Sequence, residues 1–332
     1  MSQTQDRWET HWDAGHNWAL VLAAGEGSRL QALTMTASGV AVPKQFCSLG
    51  EGSSLLHSAI RRAQAVAPPE RTCAVVADHH RRWWQALPLD IPTTNLIRQP
   101  RNRGTANGIL LPLLHIVHRD PDAVLLVLPS DHYVRNESVL AHSLRRAMVE
   151  LQGDSGHLIL LGMTPDEPDP ELGYIVGEGA DSSDIHSVAE FVEKPSVATA
   201  RALITRGAVW NSFIFAATGR TLLRAFEEHC PDLVGEMRHI VGSESATRVA
   251  RLAGLYEDLP ELDFSRDVLQ RSPSLLRVLT VPACGWSDLG TPRRVGLTVS
   301  RYRSTAGIPL STAPVRTAFV DLAARHLQMH AG

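Results

Sequence analysis

Apolar residues follow two rhythms over the first half of the chain. Nearly unbroken apolar runs stand at residues 18–24, 72–77, 123–128 and 157–162, and a short strand is expected at 95–98. Runs of this length without alternation suit strands buried on both faces, as in a parallel sheet. Between them, apolar positions recur at helical spacing over 53–66, 104–117 and 137–151. The first of these helices sits behind a serine cap, and the second is expected despite Pro112. Strands alternating with such helices predict βαβ units. The fold expected is α/β: a Rossmann-like, mostly parallel mixed sheet flanked by helices. Ligands of such sheets bind beyond the carboxyl ends of the strands, so the loops after Ala24 and Leu128 are where chemistry is sought.

From residue 165 the texture changes. Residues 165–170 are acidic and proline-rich, the pattern of a surface connection. Short strands are predicted at 173–178, 186–192, 209–216 and 275–281, with helices at 196–205 and 218–229. This half reads as a smaller α+β portion packed on the first sheet. The expected division is an N-terminal extension over 1–17, one domain over 18–300 with halves meeting near 164–165, and a helical tail over 301–332. The tail carries an amphipathic pattern at 314–329, and the stretch beyond 300 is too short for another enzyme domain. No internal repeat is visible.

Composition narrows the class. Apolar residues make up 44% of the 332 and charged residues 20%, enough for a sizeable core. The formal net charge of −3 argues against a nucleic-acid partner. Phosphate chemistry then calls for a local cluster of cations. Cys47, Cys73, Cys230 and Cys284 form no CxxC pair, which predicts reduced thiols and a cytoplasmic protein. No run is long enough to cross a membrane, so no membrane partner is expected, and self-association is left open.

Six loops carry candidate chemistry. Gly25-Glu26-Gly27-Ser28-Arg29 follows the first strand, where glycines let backbone N–H groups approach a phosphate and Arg29 adds charge. Taken alone it is equally an ordinary glycine turn. Lys44, in Pro43-Lys44-Gln45-Phe46, offers a point charge to a phosphate, or is simply solvated. Asp131, in Pro129-Ser130-Asp131-His132, is a natural Mg²⁺ ligand at the strand end, or a turn cap. His132 reads as structural. Lys194 follows Glu193 at another strand end. Asn211, in Trp210-Asn211-Ser212, can bond sugar hydroxyls. Asp288, in Trp286-Ser287-Asp288-Leu289-Gly290, supplies a second carboxylate in a tight turn.

Together and in this order the motifs resemble those of the sugar-1-phosphate nucleotidyltransferases, most closely the mannose-1-phosphate guanylyltransferases. The opening reads LAAGEGSRL from Leu22, and PKQF, PSDH, GYI, FVEKP, WNS and WSDLG follow, so the resemblance covers roughly residues 18–295. It implies a Mg²⁺-dependent enzyme joining a nucleoside triphosphate to a sugar 1-phosphate, most closely GTP to mannose 1-phosphate. Other nucleotide and hexose pairs, or a non-catalytic nucleotide-sugar sensor on the same fold, are the alternatives. The nucleotide side would comprise Leu22, Ala23, Ala24, Gly25, Glu26, Gly27, Ser28, Arg29, Lys44, Gln99, Gly104, Thr105 and Asp131. The sugar phosphate side would comprise Gly173, Glu193, Lys194, Asn211 and Asp263. Arg29, Lys44 and Lys194 would act in catalysis, and Asp131 and Asp288 would hold Mg²⁺. The sequence departs from the family at Ala24 and Ser28, at residues 36–42, and at Phe213, where the family often has glycine. Cys47 is expected to pack near the site without reacting.

Overall fold

Each unbroken apolar run folds as a strand covered on both faces. The computed structural model describes residues 15–36, 38–49, 53–152, 156–179 and 184–305. The first half runs β1 (Asn17–Ala23), α1 (Gln31–Thr34), α2 (Leu55–Ala63), β2 (Thr72–Ala77), α3 (Arg81–Trp84), β3 (Leu96–Gln99), α4 (Gly104–Arg119), β4 (Val124–Pro129), α5 (Glu137–Leu151) and β5 (Leu158–Met163). The second half adds β6 (Tyr174–Gly177), β7 (Ile185–Val192), α6 (Val197–Thr205), β8 (Val209–Thr218), α7 (Gly219–His229), α8 (Pro231–Val241), α9 (Ser245–Asp258), β9 (Leu276–Val281) and α10 (Pro292–Thr305).

All of these strands join one sheet in the order β3-β2-β1-β4-β8-β5-β9-β7-β6. Parallel pairing holds β3, β2, β1 and β4 together and recurs between β5 and β9. β8 enters antiparallel between β4 and β5, so the second half builds on the sheet of the first. Successive residues of β1 feed opposite cores: Ala19, Val21 and Ala23 on one face, Trp18 and Leu20 on the other. Helices α2, α5, α6 and α10 cover the first face, and α4, α7, α8 and α9 the second.

Local chemistry sets the helix starts. Ser54, Ser196 and Thr218 accept N–H bonds from His57, Thr199 and Thr221 at 3.3, 3.1 and 3.1 Å, which caps α2, α6 and α7. The α2 cap is one residue later than the pattern suggested. Residues 231–258, where no element was expected, form α8 and α9; Gly235 and Gly254 interrupt their apolar pattern. A single π-helical turn, Ser265–Leu269, follows. The predicted helix over 314–329 lies outside the described residues, as does the chain before residue 15.

Asn95 shows how the far edge of the sheet is pinned. It is fully buried and donates to the carbonyls of Glu70 (2.9 Å) and Thr72 (3.0 Å) while accepting from Arg119 (2.7 Å). Replacing it with leucine would orphan two carbonyls and a guanidinium. Asn95→Leu is therefore expected to cost about 2–4 kcal/mol, read as a lower urea midpoint with an unchanged m-value. A loss below about 0.5 kcal/mol would mean that water replaces the amide.

Candidate active site

The carboxyl ends of β1 and β4, the loops after β7 and β9, and the first half of β8 open on the same edge of the sheet. β8 can contribute its start because it runs antiparallel to β4. The two pair from Val124↔Thr218 to Val127↔Phe215; beyond that, β8 turns to pair with β6 at Tyr174↔Trp210. A cavity of about 650 Å³ lies at this edge.

The two acidic loops meet there. Tyr133 and Ser287 exchange backbone hydrogen bonds, both 2.9 Å, which stitches the Asp131 loop to the Asp288 loop. Lys44 completes the tie. Its side chain is buried; Nζ lies 3.0 Å from Asp131 Oδ2 and donates to the Asp288 carbonyl. Lys44 thus lies beneath the cavity wall, while Asp131 and Asp288 line the cavity. Burial is the largest influence on Asp131 and opposes its ionisation. The Lys44 charge, with His132 and hydrogen bonding, outweighs it and holds the carboxyl below its ordinary value. Asp288 is buried, and its Oδ1 has no hydrogen-bond partner; Arg294 is 3.6 Å away. Arg294 is itself held by Asp169 (2.7 Å) and lies over the Trp210 ring. His132 packs edge-on against Trp286, and burial lowers it to about 4, so it is neutral near pH 7.

The Trp-Asn-Ser motif makes a bulge. Opposite β8, the β5 register jumps from Leu160↔Phe215 to Gly162↔Asn211, leaving extra residues on β8. Their own side chains satisfy the exposed backbone. Ser212 Oγ donates to the Leu161 carbonyl (2.6 Å) and accepts from Ile214 N–H (3.2 Å), and Asn211 Oδ1 accepts from Phe213 N–H (3.0 Å). Phe213 sits at φ 58°, packed edge-on against Phe264. Among the described residues the other non-glycine positions with positive φ are Lys194 (46°) and Leu289 (49°). Phe213 and Lys194 line the cavity, and Leu289 follows Asp288. Strain of this kind persists where the surroundings over-determine it.

Gly173, Glu193 and Asn211 come together as one wall. A Cβ on Gly173 would stand 2.6 Å from Glu193 Oε2 and 3.3 Å from Asn211 Cβ, so any larger residue would displace the Glu193 carboxylate. Burial raises the Glu193 carboxyl, with Lys194 opposing. Lys194 Nζ is 3.7 Å from Glu193 and half exposed. Asp263 also lines the cavity, and its Oδ1 accepts from Arg266 N–H (3.0 Å) at the π-helical turn.

On the opposite wall, Leu22, Ala24, Gly25 and Arg29 line the cavity. Ala23, Glu26, Gly27 and Ser28 do not. Gln45 fixes the loop by donating to the carbonyls of Ala23 and Gly25, both 3.0 Å. Gly27, at φ 60°, lets the Lys44 backbone pass close beneath it. Glu26 turns outward to His79 and His80. Arg29 reaches across the cavity to Glu171, 2.6 Å away, an ion pair half exposed at both ends. Gln99 is buried with no partner on either amide atom and lines the cavity near Gly104 and Thr105. Thr105 Oγ1 accepts from Phe264 N–H (2.8 Å), which fastens this wall to the Asp263 segment.

Two features depart from the sequence expectations. The cavity is not a cluster of cations: Asp131, Glu171, Glu193, Glu261, Asp263 and Asp288 face it, against Arg29, Lys194 and Arg266. Glu171, Arg266 and Arg294 were not singled out. Glu171 lies just past the acidic, proline-rich stretch read only as a surface connection, and the arginines carry no local pattern. Cys47 is fully buried, and burial pushes its thiol up, so it stays protonated. All four cysteines are free. Among the described residues no helix is long and apolar enough to cross a membrane.

Comparison with known proteins identifies the family. The sequence profile of the nucleotidyl transferase family matches residues 18–296. The chain is 33% identical over 287 residues to mannose-1-phosphate guanylyltransferase ManC of Salmonella typhimurium, covering 82% of this chain and 58% of that protein. It is 31% identical over 288 residues to the mannose-1-phosphate guanylyltransferase of Escherichia coli K12, with the same coverage. The chain therefore spans little more than half the length of these curated relatives. Among solved structures, one titled mannose-1-phosphate geranyltransferase, from Thermus thermophilus, superposes with a TM-score of 0.72 at 28% identity. The match covers 86% of this chain and 79% of that one.

The Lys44 tie has a pH signature. A depressed carboxyl adds stability above its ordinary value, and that stability is lost as pH falls through the folded value. Lys44→Met removes the cation that depresses Asp131. The stability gap between wild type and Lys44→Met is expected to be widest near neutral pH and to narrow on acidification through the carboxylate range. Urea midpoints from about pH 3 to 8 measure it. A gap independent of pH would show that Lys44 acts only through the Asp288 carbonyl.

Proposed function

The chain belongs to the nucleotidyl transferase family, and from that premise we propose that it joins a nucleoside triphosphate to a sugar 1-phosphate and releases pyrophosphate. The pair we infer is GTP and mannose 1-phosphate, giving GDP-mannose. The names of the relatives and the PKQF, FVEKP and WNS motifs support this pair. The observation that carries the reading is the convergence of Arg29, Lys194 and the Asp131–Asp288 pair on one cavity at the strand ends. Lysine usage agrees. Of 32 lysines and arginines only Lys44 and Lys194 are lysine, and both belong to this site. A sensor without catalysis would have no need of that selectivity.

In the reaction, a sugar phosphate oxygen attacks the α-phosphorus in line, and the bond to the β-phosphate oxygen breaks with its electron pair. The nucleophile is already an anion, so no general base is required. The neutral His132 and the protonated Cys47 agree with that. What the protein must supply is position and charge compensation. Arg29 and the amides of residues 25–28 are suited to the triphosphate, and Gln99, with two free amide atoms, to the base edge. Lys194 is suited to the sugar phosphate, and Glu193 and Asn211 to sugar hydroxyls. Lys44 holds the two acidic loops in register. Asp131 and Asp288 offer only oxygens, and Asp288 Oδ1, buried without a hydrogen-bond partner, fits a hard divalent cation. Mg²⁺ bound there would neutralise phosphate charge in a cavity whose own charge is acidic. We place the enzyme in the cytoplasm on its four free thiols. The chain reads as one catalytic domain over 18–300 whose halves share a sheet. Phe213, in place of a family glycine, favours one variation: another pair of the same chemical class.

The test is a panel of nucleoside triphosphates crossed with hexose 1-phosphates, scored by pyrophosphate release with and without Mg²⁺. GTP with mannose 1-phosphate is expected to give the largest kcat/KM, and chelation to abolish turnover. A clearly larger value for another pair would sink the specificity; no release with any pair would sink the activity.

Arg29 must leave Glu171 to meet a triphosphate. An exposed ion pair is worth up to about 1 kcal/mol, so Glu171→Gln is expected to lower KM for the nucleotide by up to about fivefold with kcat little changed. A higher KM would mean instead that Glu171 orients Arg29 for the nucleotide.

A further inference from the structure

Glu26 lies at the centre of the glycine-rich loop, yet its side chain leaves the cavity. Oε1 is 2.9 Å from His79 Nε2, and Oε2 is 3.4 Å from His80 Nε2. One donor atom from each of the three residues lies within 4.8 Å of the others. Among the described residues this is the only group of three or more histidine, cysteine or acidic side chains that converges so. His79 and His80 stand in the turn after β2, so the cluster joins two separate loops.

We propose that Glu26, His79 and His80 bind a late first-row divalent cation of the zinc type, and that the ion fastens the glycine-rich loop. The donor set is the first argument. Two imidazoles and one carboxylate suit Zn²⁺, Co²⁺ or Ni²⁺, whereas Mg²⁺ selects oxygens and belongs with Asp131 and Asp288. Geometry is the second. Ions of this class bond nitrogen and oxygen at about 2.0–2.1 Å. Oε1 and His79 Nε2, 2.9 Å apart, then subtend about 90° at the ion, and Oε2 and His80 Nε2, 3.4 Å apart, about 110°, with the carboxylate binding through both oxygens. Preorganisation is the third. His80 is buried, and the Phe46 ring stands edge-on to it at 6.0 Å, which restricts the imidazole. Glu26 and His79 are nearly half exposed, which leaves an entry path and room for water ligands.

The consequence follows from position. Without the ion, the Glu26 carboxylate sits on the backbone proposed to cradle a triphosphate, and like charges repel. With it, the ion outweighs the carboxylate and leaves the cluster net positive, and the loop is tied to the turn after β2. Nucleotide affinity should rise. This last step rests on the triphosphate reading; the ion site does not.

The experiment uses the full chain freed of metal by chelation and desalting. Zn²⁺ is titrated by calorimetry, with the visible spectrum of Co²⁺ as a second readout. One saturable equivalent is expected, weakened at least about tenfold in His79→Gln and in Glu26→Gln. Both positions are exposed enough for the variants to fold, which a thermal melt checks. GTP binding is measured in Mg²⁺ without sugar phosphate. Zn²⁺ is expected to tighten it severalfold in wild type and to leave His79→Gln unmoved. No saturable equivalent, or equal Zn²⁺ affinity in His79→Gln, overturns the site. Site-dependent Zn²⁺ binding with unaltered GTP affinity overturns the fastening of the loop. Zn²⁺ binding lost in both variants, in a chain that releases pyrophosphate with no substrate pair, would sink the catalytic reading and leave the ion site standing.

Discussion

A single buried ammonium holds the candidate site together. Lys44 reaches the Asp131 carboxylate and the Asp288 carbonyl at once, and thereby joins segments that follow β4 and β9. Burying a charge is costly unless it is paired and hydrogen-bonded, and this one is both. The glycine-rich loop lies directly above, because Gly27 allows the Lys44 backbone to approach, and the neighbouring Gln45 holds the carbonyls on either side of Ala24. Three motifs distant in sequence thus depend on one side chain that does not itself line the cavity. Arginine serves as the cation nearly everywhere else in this chain, but its planar fork would not reproduce a compact charge in that space.

The remainder of the cavity is built from polar groups that the fold leaves only partly satisfied. Gln99 and Asp288 Oδ1 have no hydrogen-bond partner, Arg29 is held by a surface-type ion pair, and Glu193 is driven toward its neutral form by burial. Residues with left-handed backbone border the same space. A protein core would not keep such features; a site awaiting charged ligands would. The excess of carboxylates over cations gives this a direction. Under the proposed reaction two polyanions would meet on three basic side chains, which is the electrostatic case for a divalent cation between Asp131 and Asp288.

Much of this was legible in the sequence. Buried strands, their alternation with helices and the glycine-rich turn are local signals, and they marked the edge where the cavity lies. PSDH and WSDLG each advertised a carboxylate in a turn. What was not legible is non-local. Nothing in the spacing of Asp131 and Asp288 announces the Tyr133–Ser287 bridge between them. Lys44 read as a loop cation because burial depends on the later segments that close over it. Asn211 looked like a ligand, while its Oδ1, with the Ser212 hydroxyl beside it, serves a bulge that appears only once β8 has β5 beside it. Helices α8 and α9 escaped because glycines break their apolar stripe, and tertiary packing on α4 and α7 restores it.

The insertion of β8 between β4 and β5 also bears on how the chain is made. On a ribosome, residues through Pro129 can already assemble four parallel strands, but the open edge of β4 has no partner until Val209–Thr218 emerges. β5 waits for the same segment and then for β9. Bare strand edges recruit other chains, and long-range pairings form slowly. The nascent protein therefore passes through an interval in which its most apolar surface is finished on one side and unguarded on the other. The synthesis time between Pro129 and Val209 sets how long that edge stays open.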